Sequence, residues 1–158
     1  MKIINTRTNK EYVGEIEKVK KSDVRKLKGN KDFSFDWSLE AENDVYKVKR
    51  EGENETLGLM SISDIPKEKR IHINLIEVSK ENIGKGKKFK NITGNLLAFA
   101  CKMAFKKGYD GFLSLLPKSK IVVVYIAYGF KAFGKNLAIF MTAAKNLISK
   151  YLGDDEEV

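Results

Sequence analysis

Ile71-His72-Ile73-Asn74-Leu75-Ile76-Glu77-Val78 runs directly into Ser79-Lys80-Glu81-Asn82-Ile83-Gly84-Lys85-Gly86-Lys87-Lys88, and that junction decides how the chain is read. The first half is rich in β-branched residues and predicts a strand. The second half is a loop of glycine and lysine. Beyond it, Leu96, Leu97, Ala100, Met103 and Ala104 recur at helical spacing up to Gly108. A helix N-terminus presents unpaired backbone N–H groups and roughly half a positive charge, which suits a phosphate. Gly84 and Gly86 lack side chains that would keep a phosphate from the main chain. Lys85, Lys87, Lys88 and Lys90 add attraction for a polyanion.

Working outward, Phe112 to Leu116 is a short apolar strand broken by Pro117. Ile121 to Tyr128 fits either a strand or a helix, and Gly129-Phe130 ends it. Phe133 begins an extended segment, with Leu137 to Met141 as a terminal strand and Thr142 capping a last amphipathic helix to Leu152. Toward the N-terminus, Lys2 to Thr6 and Tyr12 to Val19 read as extended. Ser22 caps a short helix that stops at Gly29-Asn30. Phe33, Phe35 and Trp37 alternate with polar residues, predicting an extended segment with one apolar face. Val45 to Lys49 and Leu57 to Ile62 form a hairpin around Glu51-Gly52-Glu53-Asn54. The expectation is one mixed α/β domain over 1–152, followed by a frayed acidic tail at 153–158.

The chain has 158 residues, of which 42% are hydrophobic and 32% charged, a balance that excludes a disordered chain. The longest apolar stretch, Ile121 to Phe130, is too short to span a bilayer, so no membrane association is expected. Met1 to Asn5 shows no signal core, and Cys101 is the single cysteine. No internal disulfide can form, and a reducing cytoplasm is the expected setting. Cys101 reads as a helix-packing residue. His72 is the one histidine, so no metal constellation is expected. The net charge of +9 concentrates in Lys18 to Lys31, which reads as a solvated helix face, and in the Lys80 to Lys90 loop. The loop suits the phosphate of a nucleotide cofactor or of nucleic acid. The absence of interleaved aromatics and of helix-turn-helix or zinc patterns disfavours nucleic acid.

Order and spacing from Leu57 to Phe130 resemble the GNAT N-acetyltransferases. In that family a strand with a hydrophobic-Val-x-Pro-Glu-like end meets an Arg/Gln-x-x-Gly-x-Gly/Ala loop. A long helix, another strand and a Tyr-x-x-x-Gly-Phe ending follow. Here Ile76-Glu77-Val78-Ser79-Lys80-Glu81 ends the strand and Ile83-Gly84-Lys85-Gly86-Lys87-Lys88 occupies the loop. Leu96-Leu97-Ala98-Phe99-Ala100 begins the helix body, and Tyr125-Ile126-Ala127-Tyr128-Gly129-Phe130 matches the ending. The sequence departs from the pattern at Ile83, where Arg or Gln is usual, and at Lys88, where Gly or Ala is usual. Counting back from Leu96-Leu97 instead puts Lys88, Asn91 and Thr93 at the motif positions. Lys118 stands where Asn is common.

The resemblance implies the GNAT fold, a mixed, mostly antiparallel central sheet flanked by helices. It implies an N-acetyltransferase moving an acetyl group from acetyl-CoA to a primary amine by direct attack in a ternary complex. Its cofactor contacts would be Ile76 and Val78 for the pantetheine arm, with Gly84, Lys85, Gly86, Lys88, Asn91, Thr93, Gly94 and Lys118 for the rest. Tyr125 would protonate the departing thiolate, and Glu77, as a cleft carboxylate, would accept the ammonium proton through a water. Phe35 and Trp37 would line the acceptor pocket. The acceptor stays open among polyamine, aminoglycoside, amino acid and protein amine. Leu137 to Met141 would offer an edge for a homodimer. The alternatives are a GNAT-like domain that binds acyl-CoA without transfer, and a basic nucleic-acid-binding protein.

Overall fold

The computed structural model describes residues 1–117 and 121–153. The strands among them are β1 (Lys2–Asn5), β2 (Glu11–Lys18), β3 (Asp44–Arg50), β4 (Gly58–Ile65), β5 (Arg70–Val78), β6 (Phe89–Lys90), β7 (Leu113–Leu115), β8 (Lys131–Phe133) and β9 (Asn136–Ile139). The helices are α1 (Lys21–Arg25), α2 (Ile92–Lys106), α3 (Val122–Tyr128) and α4 (Met141–Leu152). The strands hydrogen-bond in the order β6-β1-β2-β3-β4-β5-β7-β9-β8. The architecture is α/β, a mostly antiparallel open sheet with helices. The β5–β7 pairing is parallel, and a parallel pair needs a crossover, here α2.

The chain forms two compact units, and β4, β5 and α2 each run from one into the other. The first comprises Met1–Ile62 and Leu75–Leu96. It carries the antiparallel run from β6 to β4 and a core of Val24, Phe33, Trp37, Ala41, Val45 and Leu59. Gly58 sets the spacing between β4 and the start of α2. A Cβ there would lie 2.7 Å from Ile92 Cγ2, 3.2 Å from Val48 and 3.3 Å from Leu96. The second unit comprises Ser63–Asn74 and Leu97–Val158. In it β7 pairs with β5 from Ile71↔Leu113 to Ile73↔Leu115, and β9 lies between β7 and β8. Ala144, Leu147 and Ile148 bury one face of α4. Asp64 ties the end of α2 through Tyr109 Oη at 2.8 Å and Lys107 Nζ at 3.0 Å.

Four local expectations are corrected. Lys20, not Ser22, flanks the start of α1, and its side chain makes no capping bond. Phe140, not Thr142, precedes α4. The segment Phe33 to Trp37 is no strand; a 3-10 turn begins at Trp37, for a reason given below. β9 is paired on both sides, so the exposed outer strand is β8. The ambiguous Ile121 to Tyr128 segment is helical. The acidic residues from 154 onward lie outside the described residues. No helix among those described is long and apolar enough to cross a membrane.

Gly58→Ala is expected to lower stability by about 1–3 kcal/mol, the usual cost of forcing atoms into a packed contact. Gly86→Ala, where a Cβ meets nothing within 4 Å, is expected to stay within about 0.5 kcal/mol. Parallel urea titrations of the two variants check the contrast.

Candidate functional site

Glu77 sits near the end of β5 with 9% of its surface exposed. A carboxylate taken out of water needs donors, because burying an unpaired charge is costly. Three N–H groups supply them. Ser34 N donates to Oε2 at 2.6 Å, Phe35 N to Oε1 at 3.2 Å and Trp37 Nε1 to Oε1 at 2.9 Å. This explains the missing strand. Backbone that would have paired in a sheet instead wraps a carboxylate, and Asp36 then accepts from Ser38 N at 3.1 Å to begin the 3-10 turn. Glu77 is therefore corrected from an open cleft carboxylate to a buried one engaged by a loop. Trp37, 1% exposed, is corrected from pocket lining to core, where it meets Phe33 edge-on. Phe35 is exposed, as an acceptor contact would need to be.

After β5 the chain is pinned by a second polar side chain. Asn82 is buried; its Nδ2 donates to Ser79 Oγ at 2.7 Å and its Oδ1 accepts from Phe89 N at 2.8 Å. Between these anchors the turn at Ile83 to Gly86 is exposed, with Gly84 at φ +71°. Lys88 N returns to Glu81 O at 2.9 Å. β6 then pairs with β1 through Ile4↔Lys90 and Asn5↔Phe89. Asn91 follows at φ +77°, and its carbonyl accepts Asn95 N at 3.0 Å, opening α2. The first amides of a helix lack intrahelical acceptors and carry the positive end of its dipole. Thr93 is half-buried and Gly94 buried in that turn. Ile76 and Val78 are half-buried on β5.

Tyr125 belongs to the second unit and is 6% exposed. Its spacing from Gly129-Phe130 has a local cause. Gly129 takes φ +111° and donates to Ile126 O at 3.0 Å, while Phe130 N donates to Tyr125 O at 3.1 Å. These are the two bonds of a Schellman ending, which a hydrophobic contact between the same outer residues commonly accompanies. The Tyr125 and Phe130 rings meet at 5.6 Å and 72°. Such an ending closes a helix rich in β-branched residues, which have low intrinsic helix preference. Burial pushes the Tyr125 phenol up to about 12. Lys118, the remaining expected contact, lies outside the described residues.

Sequence reading missed a polar cluster in the second unit. Arg70 Nη1 donates to Ser114 Oγ at 2.7 Å, and His72 Nδ1 lies 2.9 Å from the same oxygen. Burial first, then the Arg70 charge, lower the His72 pKa, so the ring is neutral near pH 7. The alternation of β5 put Arg70 and His72 on one face, but Ser114 comes from β7. Cys101 is wholly buried and burial pushes its thiol up, which removes it as a nucleophile. Among the described residues, no group of three His, Cys, Asp or Glu is placed to hold a metal.

No protein-family model matches the sequence, and no curated protein does. Solved structures do match in fold. A mutant form of the spermidine/spermine N-acetyltransferase SpeG from Vibrio cholerae superposes with a TM-score of 0.58 at 16% identity, covering 90% of this chain and 98% of its own. A GNAT-family protein from Chromobacterium violaceum gives 0.56 at 11% identity over 80% and 82%. YncA from Salmonella typhimurium, solved with its cofactor acetyl-CoA, gives 0.51 at 12% identity over 81% and 94%. The fold is that of the GNAT acetyltransferases.

Glu77→Ala removes the acceptor of three N–H groups at about 1–3 kcal/mol for each left buried and unpaired. A net loss of about 3 kcal/mol is expected. Because Trp37 is the single tryptophan, its emission should shift to the red in the native baseline of the same denaturant titration. For Tyr125 the sign is different. A phenol raised from 10 to about 12 in the fold contributes stability that is intact below pH 10 and is lost as pH climbs toward 12. Ultraviolet titration should show late-ionising tyrosines, and Tyr125→Phe should remove one of them.

Proposed function

We propose that the chain is a GNAT-superfamily N-acetyltransferase that moves an acetyl group from acetyl-CoA to a primary amine, in one domain over 1–152. The observation that carries this reading is the order of β5, a pinned basic loop and, after the two-residue β6, the first turn of α2, on a fold shared with acetyltransferases. Of the two loop registers, Lys88, Asn91 and Thr93 fit better, since Asn91 and Thr93 lie at the first turn of α2 and Lys88 immediately precedes β6. Gly84, Lys85 and Gly86 are separated from the helix by β6. The pyrophosphate would take the amides near Asn91, Thr93 and Gly94, with Lys88 as counter-charge. The main chain of Ile76 to Val78 would pair with the pantetheine arm as an added strand would. These residues extend past Ile73, where the described β5–β7 pairing ends.

Acetyl-CoA supplies an activated acyl thioester, and the protein supplies positioning and a proton. The amine nitrogen forms the amide bond to the acyl carbon as the carbon–sulfur bond breaks. The nitrogen's surplus proton leaves to water, Tyr125 Oη gives a proton to the departing sulfur, and the phenolate regains one from water. A phenol held at about 12 keeps that proton throughout the neutral range. Glu77 enters as the group that holds β5 against the Ser34 to Trp37 loop, with Phe35 on its exposed side toward the acceptor. A small amine is the favoured acceptor class, which the spermidine/spermine enzyme among the fold relatives supports.

Thermal unfolding with acetyl-CoA, CoA or ATP tests the reading. At 100 times its dissociation constant, acetyl-CoA should add about 2.7 kcal/mol of stability, and ATP should add none. Absence of any shift at millimolar acetyl-CoA would sink it. Given turnover of an amine, Tyr125→Phe should lower kcat by about 10²-fold with KM for acetyl-CoA unchanged.

A further inference from the structure

Placing the pyrophosphate at the start of α2, with Lys88 as its counter-charge, leaves Lys85 and Lys87 of the most basic turn without a role. That turn lines a cavity of about 690 Å³ in the first unit, together with the bend between β1 and β2. Arg7 comes from the bend, and Lys85, Lys87 and Lys88 from the turn; Glu81 is the one carboxylate among the lining residues. Four cations against one anion repel one another unless an anion joins them. Hydrogen bonds hold the two arms together. Thr6 N donates to Lys88 O at 3.0 Å and Thr6 Oγ1 to Lys87 O at 2.5 Å. Asn5 Oδ1 accepts from Arg7 N at 2.9 Å and Thr8 N at 3.1 Å, fixing the bend from which Arg7 projects. Gly86 has nothing within 4 Å of its absent Cβ, so the main chain there is open to a ligand.

Coenzyme A carries two separate anionic groups, the pyrophosphate and a phosphomonoester on the ribose 3′ oxygen. The second bears a charge of about −1.5 to −2 at neutral pH. Lys88 is separated from Asn91 by β6. At about 3.3 Å of rise per residue the two are on the order of 10 Å apart along the chain, a span that a ribose with its 5′ linkage can bridge. We infer that the cavity between the Asn5–Arg7 bend and the Lys85–Lys88 turn binds the 3′-phosphate of coenzyme A and so selects it over carriers lacking that group. The inference rests on the acetyl-CoA reading above.

The test compares CoA with dephospho-CoA, which lacks only the 3′-phosphate, by isothermal titration calorimetry at low and high salt. Wild-type protein should bind CoA about tenfold or more tightly than dephospho-CoA, with the gap closing as salt rises. Lys85→Ala/Lys87→Ala should weaken CoA and leave dephospho-CoA unchanged, bringing the two affinities together. Arg7→Ala should do the same in part, and all three side chains can be cut without opening the core. Equal affinities in the wild type, or variants that weaken both ligands alike, would overturn the inference while leaving the acetyl-CoA reading standing. Failure of both ligands to bind would overturn that reading and this inference together.

Discussion

A single buried carboxylate organises the first unit. Glu77 lies on a strand whose neighbours Ile76 and Val78 are apolar, and its carboxyl oxygens accept from two backbone N–H groups and one indole N–H. Hydrogen bonds to charged groups are stronger than neutral ones, and removing the acceptor would strand three donors. That interaction fixes where Phe33 and Trp37 enter the core, and with them the packing of Val24, Val45 and Leu59. It also holds the end of β5, from which the basic loop departs. A residue that looks like a candidate base is thus the reason the candidate cofactor strand has a defined position.

The loop after β5 shows how a polar anchor and repulsion divide one segment. Asn82 ties Ser79 to Phe89, so the ends of the loop are fixed by amide chemistry. The lysines between them are pushed into an exposed turn, where solvent screens their mutual repulsion. β6 then intervenes before α2, separating the basic turn from the helix amides. The segment thus carries two separate positive features, the first amides of α2 and the lysines of the turn.

The Tyr-x-x-x-Gly-Phe spacing has a structural cause of its own. Phe130 N–H reaches Tyr125 O only because Gly129 adopts a positive φ, which disfavours side chains. The same ending packs Phe130 on the Tyr125 ring and keeps the phenol out of water. Burial holds its proton throughout the neutral range.

The sequence by itself determined the succession of β5, basic loop and α2 around the junction at Glu77 to Lys88, though not the two-residue β6 between loop and helix. β-branched runs, helical spacing and glycine punctuation are local signals and need no partner. Tyr125, Asn91 and Thr93 became candidates through the resemblance of that succession to the GNAT pattern. What the tertiary structure alone decided was the environment of each side chain. Glu77 reads identically in sequence whether open or buried; only the arrival of Ser34, Phe35 and Trp37, some forty residues earlier, distinguishes the two. The alternation at Phe33 to Trp37 predicted a strand, because periodicity cannot register that its amides bond a distant carboxylate instead of a neighbour. Likewise, the Arg70, His72 and Ser114 cluster depends on the pairing of β5 with β7, and the loop register on the pairing of β6 with β1. Long-range pairing carries no mark in the residues that make it, since any strand edge of suitable polarity could accept the same bonds.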